Sequence, residues 1–317
     1  MEYLEKSLKT AYGKGGLIMS AKKIRYSHSD RIFYVINHTF LLLSLLVVLF
    51  PLLNVIAQSF SSPNAVITGK VYIWPVDFSL DAYKRIFNNS DLLMGFGNTF
   101  FYTIFGTIIN VTLTVMAGYP LSKKDFYGKG VIIGMFIFTM IFNGGLIPSY
   151  LLVKNLGLYN TRWAIIIPTA MSVWNVMIAR TFFQNTIPDE LCESAEIDGA
   201  SDIRIIMSMI LPLSKPIIAV LTLFYAVDHW NEYFNPMIYL QNKSLLPLQV
   251  VLRNILADAK MIEEMANIVN EQQTNSLALV EVLKYAIIVF ASIPVLIMYP
   301  FVQKYFTQGI MIGSLKG

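Results

Sequence analysis

Charge is what this sequence has least of. Only 14% of its 317 residues are Asp, Glu, Lys or Arg, and the net charge is +4. Charges this sparse leave no basic stripe, and nucleic acid is excluded as a partner. Cysteine occurs once, at Cys192, which rules out an intramolecular disulfide; its plain reading is a small, buried or half-buried side chain. The three histidines, His28, His38 and His229, are too scattered to set up a metal-ligand spacing. No phosphate-cradling G-x-x-x-x-G-K-[ST] run exists: Gly128-Lys129 is followed by Gly130, and Gly13-Lys14 sits in a polar tail. With no catalytic constellation either, the chain reads as a non-enzyme that does not hydrolyse ATP and binds no metal or cofactor of its own.

Apolar residues fill the space that charge leaves. They make up 55% of the chain, and the mean hydropathy of +0.56 places it among polytopic membrane proteins. A bilayer core of roughly 30 Å takes about 20 helical residues to cross. Six stretches are long enough, near 34–58, 96–121, 130–152, 161–184, 214–240 and 277–302. Prolines 51, 148, 168, 236, 294 and 300 lie inside them or near their ends, where neighbouring helices can compensate for the lost hydrogen bonds. Residues 1–32 form a basic tail ahead of a permease-sized domain at 33–317. The apolar run after the tail exceeds the about 7–15 residues of a signal-peptide core and lacks a clear cleavage site, so it reads as a first span. Met19 is an alternative start, with 1–18 an upstream extension.

Orientation follows from Lys and Arg in alternate loops. One side collects about fifteen, among them Lys123, Lys124, Lys129, Arg180, Arg204 and Lys215; the other has about eight, including Lys84, Arg85, Lys154, Lys243 and Arg253. Both termini and the loop at 188–213 are therefore expected in the cytoplasm. Outside, residues 59–95 offer Leu80, Tyr83 and Ile86 for one short amphipathic helix. A long outer loop at 241–276 carries Leu248, Leu252, Ile255 and Leu256 at helical spacing, which argues for structure rather than disorder.

The stretch from Pro188 to Pro216 has explicit local grammar. Pro188 suits a first helical position, and Asp189 and Glu190 complement the helix dipole. The helix should stop at Gly199 in the left-handed conformation, with Ser201 capping a second helix that ends near Pro212. Ala195 and Gly199, four apart, share a face with Leu191 and would let another surface approach the backbone.

Glu193, Ser194, Ala195, three residues, Gly199, nine residues, Met209, Leu211 and Pro212 resemble the EAA signature of ABC importer permeases, E-A-A-x3-G-x9-I-x-L-P. Ser194 replaces one alanine and Met209 the isoleucine, each keeping size or apolar character. In that family the loop is the coupling helix on a cytoplasmic ATPase, which implies coupling roles for Glu193, Ser194, Ala195, Asp198, Gly199, Leu211 and Pro212. Asn143–Ala164, Trp230–Leu240 and the tail Tyr299–Gly317 resemble the carbohydrate-uptake branch, nearest its oligosaccharide and aldouronate-type group. The resemblance implies an all-α, six-span permease subunit in a bacterial cytoplasmic membrane. It also implies a second permease subunit of the same or another sequence, two ATPase subunits carrying the ATP and magnesium, and an extracytoplasmic binding protein that delivers an oligosaccharide.

In the fifth span Asp228, Asn231, Glu232 and Asn235 fall at i, i+3, i+4 and i+7, one face of a continuous helix. A carboxylate at mid-bilayer costs roughly 2.5–3.5 kcal/mol on insertion scales, so two on one stripe call for a cavity or a partner. With Trp230, Tyr233 and Tyr225 adding aromatic surface, these residues are candidate sugar contacts; interhelical hydrogen bonding is the other use such a stripe has. The single polar residues Asn98, Asn110, Asn143, Asn175 and Arg180 read as bridges between helices, Lys284 as a snorkelling or Glu281-paired cation, and Trp174 as packing. Two other functions stand beside sugar import. One is an ABC permease for a peptide, polyamine or amino acid. The other is a proton-coupled transporter using Asp228 and Glu232, although no internal repeat supports it.

Overall fold

The computed structural model describes residues 28–266 and 274–314. The expectations placed on most of the N-terminal tail, on the alternative start at Met19, and on residues 267–273 and 315–317 lie outside them. Every regular element among the described residues is helical. They fall into two units, one ending at Leu52 and one beginning at Leu53. The first contains most of helix α1 (His28–Ser59), whose side chains are exposed from His28 to Leu52, with Pro51 inside the helix.

The second unit is built around α4 (Ser90–Ser122), which starts six residues before the expected span because Asn89 caps it: its side chain accepts from the amides of Asp91 and Leu92 at 3.0 and 3.1 Å. Ahead of it come α2 (Pro63–Ile67) and α3 (Asp81–Asn88). On α3 the buried residues are Ala82 and Ile86, with Tyr83 partly covered; Leu80 stands outside as the exposed N-cap residue.

The third to fifth expected spans are not continuous. Helices α5 (Lys129–Ile141) and α6 (Leu146–Asn155) meet at 114°, where Phe142 is extended and Gly145 takes φ +83°. The fourth splits into α7 (Trp163–Ile166) and α8 (Val173–Thr186), because Pro168 has no N–H to continue the ladder. Trp174, expected to pack, is exposed. Beyond α9 (Asp189–Ile197) and α10 (Asp202–Leu213), α11 runs from Lys215 to Asn231 at 85° to α10. It stops well before residue 240. In an unbroken helix the ring of Pro236 would clash with the carbonyl of Glu232, four residues back. Glu232 instead has φ −68° and ψ 120°, and α12 (Phe234–Tyr239) starts afresh with Pro236 in its first turn.

The long loop expected on the outside carries α13 (Leu248–Ala266), where the apolar spacing requires it. Its start is not a free arm: Leu248 and Leu252 are buried, and the Leu248 amide donates to Thr99 Oγ1 at 2.8 Å. The last helix, α14 (Thr274–Ser314), passes through Pro294 and Pro300 without breaking. Lys284 meets Glu281 at 2.6 Å. Three helices among the described residues are long and apolar enough to cross a membrane, or five if each bent pair is one span; the expected count was six.

Lipid tails are as apolar as leucine, so hydrophobicity does little to draw such helices together; close packing and hydrogen bonds must. On α4 they do so at glycines. A Cβ on Gly95 would lie 3.2 Å from Leu248 Cα, and one on Gly118 3.2 Å from Ala179 Cβ. Asn98 bridges outward from α4, donating to the carbonyls of Ser244 and Leu246 at 2.7 and 3.1 Å.

Candidate functional site

The elbow between α9 and α10 forms as its sequence dictates. Pro188 stands at the N-cap, one position before the place expected for it, and Asp189 and Glu190 occupy the first turn. Gly199 has φ +76°. Its amide donates to the Glu196 carbonyl at 3.0 Å, and that of Ala200 to the Ala195 carbonyl at 2.9 Å, the paired bonds of a Schellman stop. Ser201 caps α10 through the Arg204 amide at 3.4 Å. Within α10, Ile206–Ile210 widen into a π-turn ahead of Pro212, which relieves the conflict between the proline and the turn before it.

This elbow leaves a mixed face open. Glu193, Ser194, Asp198 and Gly199 are exposed, as is Pro212, while Leu211 is partly covered. Ala195 is not on that face: it is buried with Cys192, in a cluster that includes Tyr119, Ile205 and Ile210. Its small volume lets α9 pack on its own chain, so the expected open stripe through Leu191, Ala195 and Gly199 does not form. Ile197, Ile203 and Met207, none of them among the residues expected here, are 86%, 73% and 64% exposed. Apolar residues among charges in a loop are the signal that would have found them. Lys124 anchors the start of α9 by pairing with Asp189 at 2.9 Å. The lysine holds the Asp189 carboxyl below its ordinary range, and Asp189 in turn raises the lysine. The aspartate's contribution is lost as pH falls through its lowered pKa, the lysine's as pH rises through its raised one, so the pair stays intact across neutral pH.

On the far side of α11 the structure opens a cavity of about 520 Å³. Asp228, Asn231, Glu232 and Tyr233 line it, with Asn110, Tyr225 and His229. Three residues of the expected stripe thus meet at one void, but the stripe itself does not survive. Glu232 lies in the break after α11, where its carboxylate accepts from the amides of Phe234 and Asn235 at 3.0 and 3.1 Å and starts α12. Asn235 belongs to α12 and does not line the cavity. Trp230 does not line it either: it is buried, its indole N–H donates to the Ala291 carbonyl at 2.9 Å, and Phe96 and Phe100 meet its ring edge to face.

A polar network holds the cavity wall, with Asn110 bridging helices as expected and His229 and Tyr225 as the members not expected in it. The Asn110 amide donates to the Thr169 carbonyl at 2.6 Å, and its oxygen lies 2.8 Å from His229 Nε2. With the Asn110 nitrogen engaged, Nε2–H of the histidine is the donor. The Ser172 amide donates to Tyr225 Oη at 3.1 Å, and that hydroxyl meets Thr114 Oγ1 at 2.6 Å. The backbone groups freed by the break near Pro168 are thus satisfied by side chains of α4 and α11. His229 fits only because α4 has Gly106 beneath it: a Cβ there would overlap the ring. Among the described residues no three His, Cys, Asp or Glu side chains gather closely enough to hold a metal.

No protein-family model matches the chain. Individual relatives do. The polygalacturonan/rhamnogalacturonan transport system permease protein YtcP of Bacillus subtilis (strain 168) is 40% identical over 91% of this chain and 99% of its own length. Protein LplC of the same strain is 39% identical, over 91% and 96%. In the crystal structure of a bacterial ABC transporter involved in the import of the acidic polysaccharide alginate, one chain is 38% identical and superposes with a TM-score of 0.80, covering 89% of this chain and 99% of that one.

This chain belongs to the carbohydrate permeases of ABC transporters. The permease is a multi-pass membrane protein, and the family resemblance carried by Glu193 to Pro212 holds for nearly its whole length. In a membrane-embedded permease non-helical backbone is tolerated where it lines a cavity or is buried in protein, and the break at Glu232–Tyr233 lines one.

Proposed function

We propose that this permease forms half of the membrane path of an ATP-driven importer that passes oligosaccharides from an extracytoplasmic binding protein into the cytoplasm. The observation that carries the reading is the cavity lined by Asp228, Asn231 and Glu232 beside Tyr225 and Tyr233: acceptors, an amide and aromatic surface are what sugar hydroxyls and ring faces require. The names of the relatives favour sugar over a peptide or polyamine. A second permease subunit completes the path, and two ATPase subunits hold the ATP and magnesium. These subunits dock where the elbow shows Glu193, Ser194, Asp198, Gly199, Pro212 and the exposed Ile197, with Ala195 and Leu211 shaping it from within. The excess of Lys and Arg puts this elbow and both termini in the cytoplasm. Nucleotide-driven closure of the ATPases then moves the elbow and shifts the permease pair between two states.

Asn231→Ala is the test. The side chain is exposed in the cavity, and its only described hydrogen bond is to the Val227 carbonyl of its own helix, so the fold should tolerate its loss. Uptake of labelled oligosaccharide by cells with the complete transporter should fall about ten-fold, the worth of one or two hydrogen bonds. The assembled complex should still hydrolyse ATP. Unchanged uptake would remove the cavity from the sugar path.

A further inference from the structure

A second cavity, of about 730 Å³, lies between the end of α11, the outer helix α13 and α14. It shares Asn231 and Tyr233 with the first, so the two chambers meet at that pair. Their charges differ. The first is lined by two carboxylates, Asp228 and Glu232, and by no Lys or Arg; the second is lined by Arg253 and no carboxylate. Gln249, one helical turn before Arg253 on α13, lines the same chamber, whose other wall on α14 is mainly apolar, with Ile287, Ala291 and Val295. Arg253 is exposed, and no carboxylate among the described residues lies within ion-pair distance of it. A guanidinium fork left open beside an amide, a phenol and an apolar wall matches a sugar ring bearing a carboxylate.

We infer that the second chamber is a recognition site for acidic oligosaccharides, with Arg253 taking the carboxylate of a uronate unit while Asn231 and Tyr233 pass the sugar between chambers. The inference rests on the sugar-import reading above and deepens it. It also resolves a conflict in the first chamber, whose two acids would repel an anionic sugar there: the cation is supplied by this chain, one chamber away.

The experiment compares uptake of labelled trigalacturonate and of its methyl-esterified, neutral counterpart by the complete transporter in proteoliposomes, with its binding protein present. Arg253→Gln should lower uptake of the acid about ten-fold relative to the neutral form, and Arg253→Lys should retain most of the preference. Both variants should assemble to wild-type levels, since the side chain is exposed. Equal loss for both sugars, or no loss, overturns the site while leaving oligosaccharide import standing. If the loss instead tracks the anionic-lipid content of the vesicles, the guanidinium serves a lipid headgroup and the inference is also overturned. Wild-type transporter that moves neither sugar also overturns the site, while the import reading stands or falls on the Asn231→Ala test above.

Discussion

Gly199→Val should abolish coupled transport while leaving the protein expressed and inserted. The residue sits at φ +76° between α9 and α10, and nothing lies within 4 Å of where its Cβ would be. The penalty is therefore conformational and not a clash. A β-branched residue held in the left-handed region costs on the order of 1–3 kcal/mol, and the stop can escape that only by unwinding. Unwinding breaks the bonds from Gly199 and Ala200 to α9 and turns the exposed Glu193–Asp198 face away from α10. Uptake should drop at least about ten-fold, with ATP hydrolysis no longer stimulated by loaded binding protein. Gly199→Asn is the discriminating control, because asparagine accepts the left-handed conformation and should keep most of the activity. Wild-type stimulation and uptake in the valine variant would show that the elbow is not the coupling element.

The second large effect is expected inside the membrane, from Gly106→Ala. The added methyl group must displace the imidazole of His229, which is only 6% exposed and is held in place by its hydrogen bond to Asn110. Overpacking of this kind costs about 1–3 kcal/mol. Losing the His229–Asn110 hydrogen bond adds about 1 kcal/mol more. The purified complex should unfold several degrees lower, and uptake should fall with it. Combining Gly106→Ala with His229→Ala removes the clash, so most of the thermal stability should return. Uptake should stay low, because Asn110 has lost its partner in the cavity wall. If the single variant unfolds at the wild-type temperature, the fit of His229 against Gly106 does not govern the packing of α4 on α11.

What the sequence made legible was local. The stop at Gly199, the cap at Ser201 and the helix at Leu248 depend on residues within a few positions of each other, and they appear where the chain spells them. The identity of the chain was legible too, because the signature from Glu193 to Pro212 is itself local. Continuity of the spans was not. Pro168, Pro236 and the pair Gly144-Gly145 were visible, but whether a helix runs on through a proline, as at Pro294, or ends ahead of it, as at Pro236, depends on what can receive the freed backbone groups. At Pro236 the receiver is the Glu232 carboxylate, and that use removed Glu232 and Asn235 from the expected stripe. Trp230 escaped for the same reason: which side of α11 faces α14 is a tertiary fact. His229 was weighed only as a metal ligand. Its pairing with Asn110 becomes readable once α4 and α11 are known to touch, since Gly106 and Asn110 are one turn apart on the facing side.

The unwound backbone between α7 and α8 is stitched from two directions, by Asn110 of α4 at Thr169 and by Tyr225 of α11 at Ser172. Those helices pack closely on each other and are also tied side chain to side chain, Asn110 to His229 and Thr114 to Tyr225. If one slides along the other, the stitched segment must follow one of them and release the other. A hydrogen bond has a reach of only a few tenths of an ångström, so the release is abrupt. Under such a slide the Thr169–Ser172 segment would have two settings, one held by Asn110 and the other by Tyr225, with the cavity wall switching between them like a latch.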